Sequence, residues 1–422
     1  MKSSKNLNKT KLSEILLERG YVYQHTGETL EGVVDKVPRT FYWGVDPSGD
    51  SMQVGQLMGI LVLRRFVDAG HKLIMLVGGG TGMIGDPSGK SAERTFLSDE
   101  LVASNAKALR TQLSRFLGGV DFEMVNNAKW LYKVNLMEFL RDIGKNFTIN
   151  EMIKRDNIRP RLETPDASIS YTEFTYSLLQ AYDFLHLHND KKCDLQIGGS
   201  DQWGNIVSGV DLIRRKTGDV AHAFTWPLLI DKKTGKKFGK SEAGTVWLDE
   251  KKTSASDFYQ FWFNADDSAV GELLFKMTLL PKSEIEATLA EHMKDVSKRH
   301  AQRVLARTVT EFVHGADGLR IAENNKNTLF VKAADEINED DVAMLERSGL
   351  SYKISVGTSL VDALMTSKLA SSKREARQFL ADGAIVLNGE KVMDRVLSAA
   401  DFKNGNAILK RGKRNVVVLI LK

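Results

Sequence analysis

The sequence predicts an α/β protein built on a parallel sheet, then a mainly helical region and a small basic module. Three observations carry this expectation. Apolar strands run through Gly-containing turns into helices near residues 41–66 and again near 73–82, the order that builds a parallel sheet with crossover helices. Between Ser254 and Asn324 apolar residues recur at helical spacing, among them Phe258, Phe261, Leu273, Leu274 and Met277. Residues 351–422 hold 13 Lys and Arg against six Asp and Glu, whereas the other 350 residues hold 46 against 48. The net charge of +5 therefore comes from the last sixth of the chain, which suggests a polyanion partner, nucleic acid above all.

A length of 422 residues allows two or three domains. No apolar run reaches 18 residues, so no membrane-spanning helix is expected. The segment Met1 to Thr10 is basic and acid-poor, with no apolar core and no arginine, so neither a secretory nor an organellar signal is expected. The single cysteine, Cys193, permits no intramolecular disulfide and no cysteine-based zinc site. A reducing cytoplasm is the simplest setting. No internal repeat or long low-complexity segment is present.

Taken in order, Leu12, Ile15 and Leu16 define one face of a helix over 11–19, with Gly20 as its stop. A short strand ends at Val45, broken by Asp46-Pro47. An apolar helix covers 57–66, and Leu73 to Val77 form a buried strand. In such sheets functional residues gather at the carboxyl ends of strands, and the polar motifs fall there.

The first motif is Phe41-Tyr-Trp-Gly-Val-Asp-Pro-Ser-Gly-Asp-Ser-Met-Gln-Val-Gly-Gln56. Gly55 opens a helix, where free N–H groups and the helix dipole favour phosphate. Gln53 and Gln56 offer neutral amide donors beside it. The second is Lys237-Phe-Gly-Lys-Ser241, two lysines on a Gly-containing loop whose ammonium groups can neutralise developing anionic charge. In the third, Ile84 to Arg94, Asp86 can bind an ammonium while Lys90 and Arg94 can reach phosphate. In the fourth, Tyr171 to Phe184, a helix would place Tyr176, Gln180 and Asp183 on one face. In the fifth, Leu195-Gln-Ile-Gly-Gly-Ser-Asp-Gln-Trp-Gly-Asn205, a strand delivers Gly198-Gly199 and then Asp201 and Gln202. Taken singly, the motifs also read as polar turns and amphipathic surface helices.

Their order and spacing closely resemble bacterial-type tyrosyl-tRNA synthetase, a class I aminoacyl-tRNA synthetase, over nearly the whole chain. The segments Gly198-Gly-Ser-Asp-Gln-Trp-Gly-Asn205 and Tyr176-Ser-Leu-Leu-Gln-Ala-Tyr-Asp183 carry the match most specifically. The resemblance implies a Rossmann-like catalytic domain over 1–232 that binds tyrosine and ATP. It implies a Lys-Phe-Gly-Lys-Ser loop and helical anticodon-arm domain over 233–330. An acidic linker over 331–354 and a small basic RNA-binding module over 355–422 follow. Tyr42 and Asp183 would bind the phenolic hydroxyl of L-tyrosine. Tyr176, Gln180 and Asp86 would hold its ammonium, Gln202 would lie near its carboxylate, and Gln196 would join the tyrosine set. Gly44, Asp46, Ser48, Gly55, Gly199 and Asp201 would line the ATP cleft, with Asp201 on the ribose. Lys90, Arg94, Lys237 and Lys240 would clamp the phosphates beside Gln53 and Gln56. Lys373, Arg374, Arg377, Lys410, Arg411, Lys413 and Arg414 would contact tRNA(Tyr) through phosphates. Magnesium would accompany ATP, with no dedicated protein ligands and no organic cofactor, and the enzyme would be a homodimer.

The chain departs from the family pattern in the ATP half alone. Gln53 and Gln56 replace two signature histidines, Trp43 stands where the family has a small residue, and Gly59 lies one turn beyond Gln56. Two readings compete: an active ligase with a rebuilt cleft, or a degenerate copy that binds tyrosine or RNA. The intact tyrosine set and the retained Lys237, Lys240, Asp201 and Gln202 favour the first.

Overall fold

A computed structural model describes residues 10–86, 98–154, 158–164, 169–230, 235, 238–241, 244–412 and 415–422. The chain forms two compact units, Met1–Leu248 with Asp266–Ala301, and Asp249–Ala265 with Gln302–Lys422.

The first unit is built on a six-stranded sheet: β1 (Gln24–His25), β2 (Thr40–Val45), β3 (Lys72–Val77), β4 (Glu123–Asn126), β5 (Cys193–Gly199) and β6 (His222–Trp226), in the order β1-β6-β5-β2-β3-β4. The pairs from β6 through β4 are parallel, and β1 closes one edge antiparallel. Around it lie α1 (Leu12–Glu18), α2 (Leu30–Val34), α3 (Val54–Asp68), α4 (Asp99–Phe116), α5 (Ala128–Leu131), α6 (Tyr171–Lys191) and α7 (Trp203–Thr217). The parallel sheet predicted from strand, turn and helix order is thus present, with every predicted element within a few residues of its expected place.

Local signals explain the helix starts. Ser170 and Glu173 cap α6 reciprocally: Glu173 N–H donates to Ser170 Oγ at 3.1 Å, and Ser170 N–H donates to Glu173 Oε2 at 3.2 Å. The Ser98 hydroxyl caps α4, whose first turn carries Asp99 and Glu100. Buried Arg19, just past α1, donates to the carbonyls of Phe275 and Thr278, each at 3.2 Å, and to that of Leu280.

Cys193 opens β5 fully buried beside Thr40 of β2. His71, also buried, precedes β3 and packs on Phe66 at 5.3 Å between ring centroids. Its Nδ1 accepts from the Arg39 N–H at 3.1 Å, and its Nε2 donates to the Val34 carbonyl at 2.9 Å. That pairing requires the neutral ring. Burial holds the His71 pKa below its ordinary 6.5, against the opposing pull of the Val34 carbonyl. The unfolded chain therefore binds the extra proton, so stability is complete above about 6.5 and is lost as pH falls below it. Compared with a His71→Gln variant, which lacks this group and keeps every other titration, the urea midpoint of the parent is expected to lose ground between roughly pH 7.5 and 5.5.

The second unit contains α8 (Ala255–Phe263), most of the long helix α9 (His300–Phe330), α10 (Glu339–Arg347), α11 (Leu360–Thr366) and α12 (Lys373–Ala381). Gly315 breaks the α9 geometry with a φ of 76° that side chains rarely adopt. A second sheet joins β9 (Ser351–Ile354), β10 (Ile385–Leu387), β11 (Glu390–Lys391), β12 (Asn406–Arg411) and β13 (Asn415–Leu421) in the order β11-β10-β12-β13-β9. The predicted Asn388-Gly389 turn joins β10 to β11, with both residues at positive φ. Leu364, Leu380, Ile385 and Leu409 belong to one core of this module. Residues 331–354, read above as an acidic linker, carry α10 and β9. Leu345 of α10 packs with Ile408, Val416 and Val418, so that segment covers one side of the second sheet. Buried Asp341 explains the acidity: it accepts from Thr328 Oγ1 at 3.1 Å and pairs with Lys332.

Candidate active site

The carboxyl ends of β2, β3, β5 and β6 meet the N-terminus of α3 around a cavity of about 300 Å³. The predicted tyrosine residues Tyr42, Asp86, Tyr176, Gln180, Asp183, Gln196 and Gln202 line it, as do Gly44, Asp46, Ser48 and Gly55 of the ATP set. Gln56, Gly199 and Asp201 line it as well. The spacing argument for Tyr176, Gln180 and Asp183 thus holds on α6.

At the deep end, Asp183 is almost fully buried. Its Oδ2 accepts from Asn127 Nδ2 at 2.8 Å and its Oδ1 from Trp130 Nε1 at 2.7 Å. Burial pushes its pKa up to about 7 despite those two donors. Its folded pKa is therefore raised, so its stability contribution is full below the ordinary value of 3.8 and is lost as pH rises through about 7. Tyr42 is equally buried, edge-on to Phe184 at 5.3 Å. Its hydroxyl has no hydrogen-bond partner among the described residues, and neither has Gln196 Oε1. Buried polar atoms are normally paired, so this end is shaped for a ligand that brings hydrogen-bonding groups of its own.

Further out, Gln202 Nε2 donates to Asp86 Oδ2 at 2.7 Å, and Asn205 Nδ2 donates to Gln202 Oε1 at 3.2 Å. Burial first, then the carboxylates of Asp46, Asp86 and Asp183, drive the Tyr176 pKa well above 10. Three carboxylates converging on one phenol make a site suited to an ammonium.

At the mouth, Gln53 caps α3, and Gln56 Oε1 accepts the Gln53 N–H at 3.0 Å. That bond engages the oxygen, and among the described residues it leaves the amide nitrogen as the unengaged donor of Gln56. Gln53 lines an adjoining cavity of about 430 Å³ with Phe238 and Trp247. Gly239 lies so close that a Cβ on it would stand 2.9 Å from Gly55 N, and its φ is 113°. A Cβ on Gly55 would in turn stand 3.1 Å from the Phe238 carbonyl oxygen. The two predicted signatures thus touch backbone to backbone, and glycine is needed on both sides.

Lys90, Arg94, Lys237, Lys413 and Arg414 lie outside the described residues, and for Lys240 only the backbone, in a short strand with Ser241, is described. Lys373, Arg374 and Arg377 lie on α12, and Lys410 and Arg411 on β12. Lys373 pairs with Asp362 at 2.9 Å. Arg411 donates to the Leu369 carbonyl at 2.8 Å and lies 4.8 Å over the Phe379 ring, so part of its binding capacity is used inside the module. Sequence reasoning missed Asn127 and Trp130. Their one signal was position, just past the end of β4.

A family model described as "tRNA synthetases class I (W and Y)" matches residues 35–331. The chain belongs to that family. A model of the Tyrosine–tRNA ligase SYY-like C-terminal domain matches residues 345–419 of the synthetase. Tyrosine–tRNA ligase 1 of Bacillus subtilis (strain 168) is 44% identical over 427 residues, covering 98% of the synthetase and 100% of that protein. Tyrosine–tRNA ligase 1 of Vibrio vulnificus (strain YJ016) is 43% identical over 420 residues, covering 98% and 99%. A C-terminally truncated Aspergillus nidulans mitochondrial tyrosyl-tRNA synthetase matches with a TM-score of 0.67 at 30% identity, covering 77% of this synthetase and 96% of that chain.

Proposed function

We propose that the chain is a tyrosine–tRNA ligase that activates L-tyrosine with ATP and passes it to tRNA(Tyr). One observation carries the reading. A single cavity joins a buried polar end, where the Tyr42 hydroxyl and Gln196 Oε1 have no partner among the described residues beside the Asp183 carboxylate, to the N-terminus of α3 with Gly55 and Gln56. The first end suits a phenol, because phenylalanine would leave the same groups unpaired. The second suits a triphosphate.

In the first step an oxygen of the tyrosine carboxylate attacks the α-phosphorus of ATP. The P–O bond to the β-phosphate breaks, giving tyrosyl-adenylate and pyrophosphate. The carboxylate is already ionised, so no base is needed. Asp86, Tyr176 and Gln180 would hold the ammonium, Gln202 would lie near the carboxylate, and Asp201 would take the ribose hydroxyls. Gln53, Gln56, Lys90, Arg94, Lys237 and Lys240 would stabilise charge on the departing phosphates. Magnesium would arrive on the ATP phosphates. In the second step a terminal ribose hydroxyl of tRNA attacks the tyrosyl carbonyl carbon, the hydroxyl proton is lost, and AMP leaves.

The basic residues of α12 and β12 support tRNA binding by the second unit. A homodimer is supported by an apolar surface over Tyr132 to Ile149, where Leu136 is 68%, Met137 71% and Ile149 59% exposed. Among the described residues no helix is long and apolar enough to cross a membrane. A single cysteine suits the cytoplasm.

Tyrosine-dependent exchange of pyrophosphate into ATP tests the function. We expect exchange with tyrosine and none with phenylalanine at equal concentration. Absence of exchange across pH and magnesium would leave only the degenerate, ligand-binding reading.

A further inference from the structure

On one face of the first sheet the aromatic side chains form two layers. In the lower layer Phe66 of α3 meets Phe41 of β2 at 5.2 Å and Phe224 of β6 at 5.5 Å between ring centroids. Two residues further along each strand the side chains return to the same face, which brings Trp43 and Trp226 together at 6.1 Å and 69°. Seven residues back along α3, about two turns, the helix face that carried Phe66 carries Gly59. In the lower layer the helix supplies a ring. In the upper layer the strands supply two indoles and the helix supplies no side chain.

Gly59 is a notch for Trp226. A Cβ there would stand 2.7 Å from Cζ2 of the indole and 3.4 Å from two more ring atoms. Gly59 sits in the interior of α3 with helical backbone, where glycine is worse than alanine, so backbone freedom does not explain it. The indole leaves no slack: Trp226 is 6% and Trp43 7% exposed, and Trp226 is paired in register with Gly199 of β5.

The upper layer borders the nucleotide end. Trp43 and Trp226 line the same cavity as Gly55 and Gln56, and Gly59 lies one turn beyond Gly55. Tyr42 points to the opposite face of the sheet, against Phe184 of α6. We propose that Trp226, seated in the Gly59 notch against Trp43, is a positioning residue for ATP, an inference that rests on the ligase reading above. The indole pair sets how far the first turn of α3 stands from the strand ends, and so where Gly55 and Gln56 meet the phosphates. A methyl group in the notch lifts that turn or tilts the indole into the cavity. Either change moves the ATP half and leaves the tyrosine half in place.

The test uses the full chain with Gly59→Ala, Trp226→Leu and the double variant, and thermal melting to confirm folding. Exchange is measured with ATP and tyrosine varied separately, and binding of ATP alone and tyrosine alone is measured by calorimetry. Each single variant is expected to raise the KM and Kd for ATP about tenfold, the scale of an overpacked or emptied contact, with tyrosine values within about twofold. The double variant is expected to be no worse than about the poorer single one, since the two positions act as a unit. An ATP KM and Kd within twofold of the parent in either single variant overturns the proposal, as does equal weakening of both substrates or a double variant whose effects multiply. If Gly59→Ala fails to fold, Trp226→Leu decides alone. If the parent gives no tyrosine-dependent exchange, the ligase reading fails, and the ATP Kd still tests the notch.

Discussion

An Asn127→Ala variant is expected to unfold at much lower urea than the parent, by about 3–5 kcal/mol of stability. Asn127 is fully buried and serves three partners. Its Oδ1 accepts the Gly80 N–H at 2.8 Å, and its Nδ2 donates to Thr81 Oγ1 at 2.9 Å and to Asp183 Oδ2 at 2.8 Å. Truncation leaves each partner buried with a bond missing, and each such group costs about 1–3 kcal/mol, more beside a charge. The loss also removes one of the two donors that hold the Asp183 carboxylate down, so its pKa moves further above about 7. Tyrosine affinity at neutral pH should fall in parallel. Equilibrium unfolding in urea and a tyrosine titration check both effects, and a stability change under about 1 kcal/mol contradicts the account.

Asp183→Ala is expected to damage tyrosine use and spare ATP. The carboxylate is the buried acceptor at the deep end, so its removal should lower kcat/KM for tyrosine by roughly 30- to 150-fold, about 2–3 kcal/mol, for a hydrogen bond to a charged group. The KM for ATP should stay within about threefold. The pH profile separates this role from mere packing. With its pKa near 7, Asp183 accepts a phenolic proton above that pH and is itself protonated below it. The parent kcat/KM for tyrosine should therefore fall as pH drops through about 7, and this limb should vanish in Asp183→Ala. An unchanged profile in the variant would assign the limb to another group.

Much of this was legible in the chain because it depends on local rules. Strand, turn and helix order announced the parallel sheet, and the three-and-four spacing of Tyr176, Gln180 and Asp183 placed them on one face of α6. What stayed hidden depends on contacts between residues far apart in sequence. Asn127 reads as an ordinary polar residue until the end of β4 brings it to Asp183. Gly59 reads as a departure in the ATP half, one turn beyond Gln56, until Trp226, 167 positions later, comes to rest against it. Residues 331–354 read as a linker because their acidity suggested solvent, yet Asp341 is buried with Lys332 and Thr328. The engagement of Gln56 needed geometry as well, since nothing in the sequence shows that its Oε1 accepts the Gln53 N–H.

Cys193 has a chemical consequence of its own. Attack on electrophiles and oxidants requires a thiolate. At the head of β5 this thiol is fully enclosed, and burial raises its pKa well above the ordinary 9.0. The folded chain thus presents no reactive sulfur of cysteine type to peroxides, alkylating agents or mixed disulfides. Modification at that atom must wait until β5 leaves β2, so labelling at Cys193 reports how often the catalytic sheet comes apart.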